Sequence, residues 1–396
     1  MSQEVVIVKA LRTPFGKFGG SLASLNAVEL GGHIIQSVLK DTPVTSDILD
    51  EVMMGIVVTA GAGQIPSRQA AAKAGLGTQV KSTTINKVCA SGMKAVGLAA
   101  QAIRAGDRKV VLAGGMESMS NTPYLMPKAR WGMRMGDAEL VDSMIHDGLW
   151  CAFHDVHMII HGSNVAREYD ISREAQDEWA LRSHELAAKA ISSGRLAKEI
   201  APIHVPQRKK EDLIVENDES VRADTSLEKL AKLRPVFDKE GSITAGNAPG
   251  INDGAAALLV MSREMADELG LEPLARIVSY GEVADDYPYL ARTPANAIKA
   301  ALQQANMTVD QLDLVEINEA FAAVTLLSTK ILGINPDIVN VNGGAIAMGH
   351  PVGASGGRIV GTLIHELIAQ GKRFGAAGIC SGSAQGDAII LENLTI

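Results

Sequence analysis

Cysteine is scarce in this chain: three in 396 residues, at positions 89, 151 and 380. No two are spaced as CxxC, so neither a disulfide framework nor a paired-cysteine metal site is expected. A reducing, cytoplasmic compartment fits that usage. A basic excess is also lacking. The formal net charge of −8 argues against nucleic acid as a partner, and an anionic ligand would need a local basic patch. No apolar run approaches the roughly 18 residues of a membrane span. The opening Met-Ser-Gln-Glu-Val-Val-Ile-Val has no basic n-region or cleavage site, so no signal peptide is expected. GxxxxGK[ST] does not occur, which excludes a phosphate loop. The glycines around 349–357 lack the acidic residue about 20 positions on that a dinucleotide loop needs.

What the chain has is glycine, apolar residues and a repeat. Glycine numbers 39 and hydrophobic residues make up 46%, as expected of a layered α/β protein with two or more domains. Residues 88–97, Val-Cys-Ala-Ser-Gly-Met-Lys-Ala-Val-Gly, are matched at 352–361 by Val-Gly-Ala-Ser-Gly-Gly-Arg-Ile-Val-Gly. The register continues without a gap, Lys109–Gly114 falling on Arg373–Gly378. Two copies this far apart are a duplicated turn–helix–strand unit, not a solenoid.

Short apolar runs at Val5–Lys9, Val52–Val58, Thr83–Ile85 and Lys109–Ala113 read as strands, and Ser67–Ala74 and Cys89–Arg104 as helices. The C-terminal third repeats the style. Helix Pro294–Gln304, strand Leu314–Ile317, helix Glu319–Leu332, helix Ala354–Ala369 and strand Phe374–Ile379 follow one another. The strands are expected to be buried and mostly parallel. Residues 119–250 differ in texture, with more Met, His, Trp and charge, and one clear amphipathic helix from its Ser172 cap to Gly194. They read as an inserted loop domain, after which Asn252–Val260 resumes the first half as a strand or buried helix.

Three side chains stand out at loop ends of the duplicated scaffold. Cys89 heads a small-residue helix, where free N–H groups and the macrodipole favour thiolate and hence a nucleophile. His350, in the Gly-rich run 343–357, suits a base that takes a thiol proton. Cys380 follows a strand in the glycine-bearing loop 378–386, placed for a second acid/base. Asn318 stands where a strand turns into a helix and reads equally as an N-cap. His154, His157 and His161 fall at i, i+3 and i+7, which on a helix would share a face. No cysteine supports them as ligands, so no metal is expected, and Cys151 reads as core.

Four ordered segments then resemble the thiolase family: Asn86-Lys-Val-Cys-Ala-Ser-Gly-Met-Lys-Ala, Asn318-Glu-Ala-Phe-Ala, Gly349-His-Pro-Val-Gly-Ala-Ser-Gly and Cys380-x-Gly. The likeness spans nearly the whole chain, from Arg12-Thr-Pro-Phe-Gly-Lys-Phe-Gly-Gly through Leu233-Arg-Pro-Val-Phe and Thr244-Ala-Gly-Asn. It is nearest the acetyl-CoA acetyltransferase group, on Val88–Lys94 and Gly114–Asn121. It implies a thiolase fold of duplicated βαβαβαββ halves in five αβαβα layers. The division expected is 1–118, an inserted 119–250 for CoA binding and oligomerisation, a return at 251–270, and 271–396.

The resemblance also implies acyl-CoA and CoA as ligands, coenzyme A as substrate with no prosthetic group, and a homodimer or homotetramer. One oxyanion site would use His350 Nε2 with a water on Asn318, the other the amides of Cys89 and Gly382. His157, Met158, Phe237, Ala245, Gly246, Ala248, Leu290 and Phe321 map to pantetheine and acyl positions, and Arg222 to the adenine site. Lys128, Arg130 and Arg134 lie where a basic oligomerisation loop approaches the 3′-phosphate.

The departures all lie in the ligand wall: Ile159 for a glycine, Pro249 for a serine, Ser383-Ala384 after Gly382, and Leu290-Ala-Arg-Thr-Pro294. They leave a second reading, a non-catalytic CoA-binding homologue serving as a scaffold in a larger complex. A decarboxylating ketosynthase or hydroxymethylglutaryl-CoA synthase is disfavoured by Cys380.

Overall fold

The computed structural model describes residues 3–208 and 210–396. Its main strands are β1 (Val5–Arg12), β2 (Glu51–Gly55), β3 (Lys81–Ile85), β4 (Val110–Ser118), β5 (Asn252–Ser262), β6 (Ala275–Ala284), β7 (Leu314–Ile317), β8 (Phe374–Ser381) and β9 (Gln385–Asn393). The helices that matter here are α1 (Ala27–Leu39), α2 (Pro66–Lys73), α3 (Ser91–Ala105), α4 (Met158–Glu168), α5 (Arg173–Ser192), α6 (Thr293–Ala305), α7 (Ala322–Leu332) and α8 (Ser355–Gln370).

The strands form one path, β7-β8-β9-β6-β1-β5-β4-β2-β3. It has two like halves. β3, β2 and β4 are parallel, and β4–β5 and β5–β1 antiparallel. In the other half β7–β8 is parallel, and β8–β9 and β9–β6 antiparallel. A parallel bridge from Val315 to Val339 stands where the first half has its outer strand. Among the described residues the halves meet edge to edge only through Val6 opposite Arg276 and Ile7 opposite Ala275.

The sheet is therefore mixed, not mostly parallel as expected. Only three residues, Gly382–Ala384, separate β8 from β9, and so short a connection can only reverse the chain, whereas a parallel neighbour needs a long crossover. Asn252–Ser262 is a strand, and it lies between β1 and β4.

Apolar residues sort into layers. Leu30 and Ile34 of α1 pack with Val110 and Leu112 on one outer face, and Ile298 and Leu302 of α6 with Val315 and Ala376 on the other. Between the halves, Met93, Val96 and Ile103 of α3 share a core with Ile359, Val360 and Leu363 of α8. That gives five layers, αβαβα.

The central helices touch backbone to backbone at their first turns. A Cβ on Gly356 would lie 2.4 Å from the Met93 nitrogen, and one on Gly92 2.9 Å from the Gly353 oxygen. Both N-termini are thereby fixed beside each other.

Two helix expectations shift. α3 begins at Ser91, so Cys89 precedes it, and α7 begins at Ala322, after a turn that holds Asn318 and Glu319. Residues 119–251 carry two substantial helices instead of one. α4 escapes the sequence pattern because Gly162 interrupts it, yet a Cβ there would meet Phe321 Cδ2 at 2.8 Å, so close packing explains the glycine.

Candidate active site

Loop ends of both halves converge where α3 and α8 begin. Val88, a β-branched residue at φ 46°, turns the chain so that Cys89 lies two residues ahead of α3. The turn is pinned from several sides. Asn86 Oδ1 accepts from the Val88 amide at 3.0 Å, Ser91 Oγ donates to the Val88 carbonyl at 2.6 Å, and Ser381 Oγ donates to the Lys87 carbonyl at 2.5 Å. Glu117, at the end of β4, accepts from the amides of Val57 (2.9 Å), Val58 (3.2 Å) and Gly353 (3.0 Å), tying loops of the two halves together. Burial nevertheless pushes its carboxyl up to about 7.

His350 is held at both ends. Its backbone N–H donates to Asn252 Oδ1 at 2.9 Å, and its Nδ1 lies 2.6 Å from Ser355 Oγ. That hydroxyl gives its one proton to the Pro351 carbonyl, 2.9 Å away, so Nδ1 carries the ring proton and Nε2 presents a lone pair. Asn318 Nδ2 lies 3.4 Å from Nε2. Asn318 is thus no N-cap of α7; that position falls on Phe321. Glu319 fixes this turn by accepting from Trp179 Nε1 (2.8 Å), Ser183 Oγ (2.8 Å), Asn340 Nδ2 (3.1 Å) and the Ile346 amide (3.0 Å).

Cys89, His350, Cys380 and Asn318 are all buried, and burial decides their charges. It pushes the Cys89 thiol up to about 12, with Glu117 adding to the rise. The N–H groups of Cys89 and Gly382 work against it without prevailing. The expected thiolate at a helix N-terminus is therefore overturned: the sulfur is out of water and off the helix. Burial, then Arg358, brings the His350 imidazole down to about 3. Burial, then Cys89, raises the Cys380 thiol well above its ordinary value. At rest the site is a neutral thiol beside a neutral base, with the second sulfur close enough to feel the first.

A largely apolar cavity of about 280 Å³ reaches this centre. Cys89, His350, His157, Met158, Phe237, Ala248 and Phe321 line it, with Ile159 and Pro249 in the same wall. His157 stacks on Phe237 at 4.0 Å between centroids, and burial holds its imidazole down at about 4.

Cys380 and Leu290 are buried in one apolar cluster with the wall residues Phe321 and Met158. Arg222, Ala245, Lys128, Arg130 and Arg134 are exposed. Gly246 is explained by packing, since a Cβ would meet Leu233 Cδ1 at 2.5 Å. Gly382 faces Val88, 3.3 Å from where its Cβ would be. His154, His157 and His161 do not share a helix face, because α4 begins only at Met158.

Sequence reasoning missed the supporting residues Ser355, Glu117, Glu319 and Asn252. Ser355 left a signal as the repeat partner of Ser91, and Glu319 and Glu117 lay inside family-like segments without a role being read for them.

Known proteins match the whole arrangement. The thiolase N-terminal domain matches residues 5–264 and the thiolase C-terminal domain 271–393. The chain is 53% identical to an acetyl-CoA acetyltransferase of Pseudomonas aeruginosa, over 98% of this chain and 99% of that one. It is 50% identical to one from Escherichia coli, with the same coverage. The crystal structure of the Bacillus anthracis acetyl-CoA acetyltransferase superposes with a TM-score of 0.97 at 42% identity, covering 99% of each chain. Two matched domains over a duplicated five-layer scaffold make this chain a member of the thiolase family.

Proposed function

We propose that this chain is an acyltransferase that moves an acyl group between CoA thioesters through an acyl-cysteine on Cys89. Two acetyl-CoA give acetoacetyl-CoA and CoA, or a 3-ketoacyl-CoA is cleaved in reverse. The observation that carries the reading is a buried thiol and a buried imidazole lining one cavity, the imidazole with an unprotonated Nε2 that can accept the thiol proton.

Neither group is charged at rest, so proton transfer accompanies attack. Cys89 sulfur bonds to the acyl carbon as Nε2 takes the thiol proton. The Nε2–H so formed, with Asn318 beside it, donates to the oxyanion. Collapse expels CoA thiolate, which takes the proton back from His350.

In the second half-reaction Cys380 passes its thiol proton to the again-neutral His350 Nε2, and the thiolate so formed removes an α-proton from another acetyl-CoA. A buried thiolate of raised pKa is a strong base, as a weakly acidic C–H requires. The enolate carbon attacks acyl-Cys89, the C–S bond breaks, and the freed Cys89 sulfur takes the proton that His350 Nε2 received from Cys380, while the α-proton stays on Cys380. The amides of Cys89 and Gly382, which already act on the Cys89 sulfur, are the donors for the oxyanion of that step. Losing one such donor costs about 3 kcal/mol.

Coenzyme A is substrate and product here. His157, Met158, Phe237, Ala248, Leu290 and Phe321 would flank the pantetheine and acyl group, Ala245 and Gly246 its entrance, and Arg222 the adenine end. We further divide the chain into 1–118 with 251–270, an inserted 119–250, and 271–396. Within the insert, Trp131 and Met135 are exposed by 83% and 95% beside Lys128, Arg130 and Arg134. So much bare apolar surface fits a contact between copies in a dimer or tetramer. Among the described residues no helix is long and apolar enough to cross a membrane, and the cysteine usage fits the cytoplasm. No observation favours the scaffold reading.

The test is mass spectrometry after mixing with acetyl-CoA, together with α-proton exchange. Wild type should carry one acetyl group on Cys89, absent in Cys89→Ser. Cys380→Ser should still acetylate but fail to exchange. An unmodified Cys89, or normal turnover by Cys89→Ser, would sink the assignment.

A further inference from the structure

Outside the active site the fold gathers a second set of soft ligands. Trp150–Cys151 and Val156–His157 pair as a short hairpin whose turn carries His154, and α4 follows directly. This brings one ligand atom each of Cys151, His154 and His161 within 4.8 Å of one another. Cys151 and His161 are buried and His154 is exposed. The His161 Nε2 atom is buried without a hydrogen-bond partner in a residue only 5% exposed. A buried ring nitrogen left unpaired is costly unless something binds it.

We propose that Cys151, His154 and His161 form a binding site for one divalent soft-metal ion of the zinc class, bracing the hairpin against α4. One sulfur and two imidazoles are the donor chemistry of Zn²⁺, not of Mg²⁺ or Ca²⁺. Tetrahedral Zn–S and Zn–N bonds set ligand atoms roughly 3.5 Å apart, so from separations within 4.8 Å the cluster contracts by no more than about an ångström. The surface position of His154 gives the freedom to do so. It also leaves the fourth position open to water. Binding converts Cys151 to thiolate, with one proton released to solvent.

The sequence pattern argued against this, since three histidines at helical spacing offered no cysteine. The hairpin supplies one. It also explains which histidine is not a ligand: His157 turns to the cavity and stacks on Phe237. The ion would therefore sit one helical turn from the pantetheine wall without touching the reacting sulfurs.

Cys89 and Cys380 with His350 can themselves bind metal, so the full chain is tested with Cys89→Ser and Cys380→Ser, leaving Cys151 the only thiol. Titration with Co²⁺ should give one equivalent bound with a thiolate-to-cobalt charge-transfer band, displaced by Zn²⁺. His161→Gln and His154→Ala in that background should each weaken binding by about 100-fold or more. His154 is exposed, so its loss leaves the core intact, as circular dichroism should confirm. No charge-transfer band, or unchanged affinity in His154→Ala, would overturn the site.

Discussion

The two copies of the turn–helix–strand unit share a backbone and divide the chemistry. Position for position, Asn86 answers His350, Cys89 answers Gly353, Ser91 answers Ser355 and Met116 answers Cys380. Ser91 and Ser355 each reach back to a carbonyl of the preceding turn, so the scaffold role is kept in both. The reactive role never is. In the proposed mechanism one copy supplies the nucleophile, the other the base and the second sulfur. At each position the opposite copy holds a residue that cannot do that work. A single centre results because α3 and α8 start side by side, which their paired first-turn glycines allow.

The comparison breaks most sharply if a catalytic residue is replaced by its counterpart. His350→Asn imports the residue of the first copy and removes the base; acetylation of Cys89 should slow about 10²- to 10⁴-fold in rapid-quench experiments. A rate within threefold of wild type would deny His350 that role.

Next comes the contact that makes the halves meet. Gly356→Ala should cost about 3 kcal/mol in urea denaturation, because the new methyl would strike the Met93 backbone. Gly361→Ala, where the nearest atom is Ala10 Cβ at 3.6 Å, should be neutral or slightly stabilising. Equal effects at the two positions would mean the helices are not in contact as described.

The pH dependence sharpens the account of the neutral pair. His350 is brought down to about 3 and Cys89 up to about 12. Acetylation should then show no limb from either between roughly pH 5 and 9. A bell with both limbs inside that range would indicate a resting ion pair. For stability the sign is separate: unfolded His350 binds protons below about 6.5 while the folded residue does not, so its contribution is full above that pH and falls as pH drops toward 3.

The smallest effect concerns the reversal between β8 and β9. Ser383 holds φ 64°, a conformation only glycine adopts freely. Ser383→Gly should raise stability by about 1 kcal/mol in the same denaturation assay; a loss would mean the hydroxyl or side chain is needed there. The equivalent link between β4 and β5 runs through residues 119–251, so one fold position serves as a tight turn in one half and carries the cavity wall in the other.

Much of this was legible in the linear chain. The repeat, the four motif segments, the Ser172 cap and the strand at 314–317 need only local spacing, and local spacing is what periodicity reports. Ser355, Glu117, Glu319 and Cys151 escaped because their meaning lies in partners distant in the chain. Glu117, for example, bonds the Gly353 amide, and Cys151 meets two histidines across a hairpin and a helix start. The thiolate expectation failed for a related reason: a helix terminus can be read from residues, but how completely it is dried out cannot.

By itself, then, the sequence determined the duplication, the α/β character and which side chains are proposed to react, since these follow from residue type and interval. The tertiary structure alone decided which way the strands run, which tautomer His350 holds and that its partner thiol is neutral. Those depend on dielectric and on contacts between segments far apart in the chain, and both arise only when the two halves close on each other.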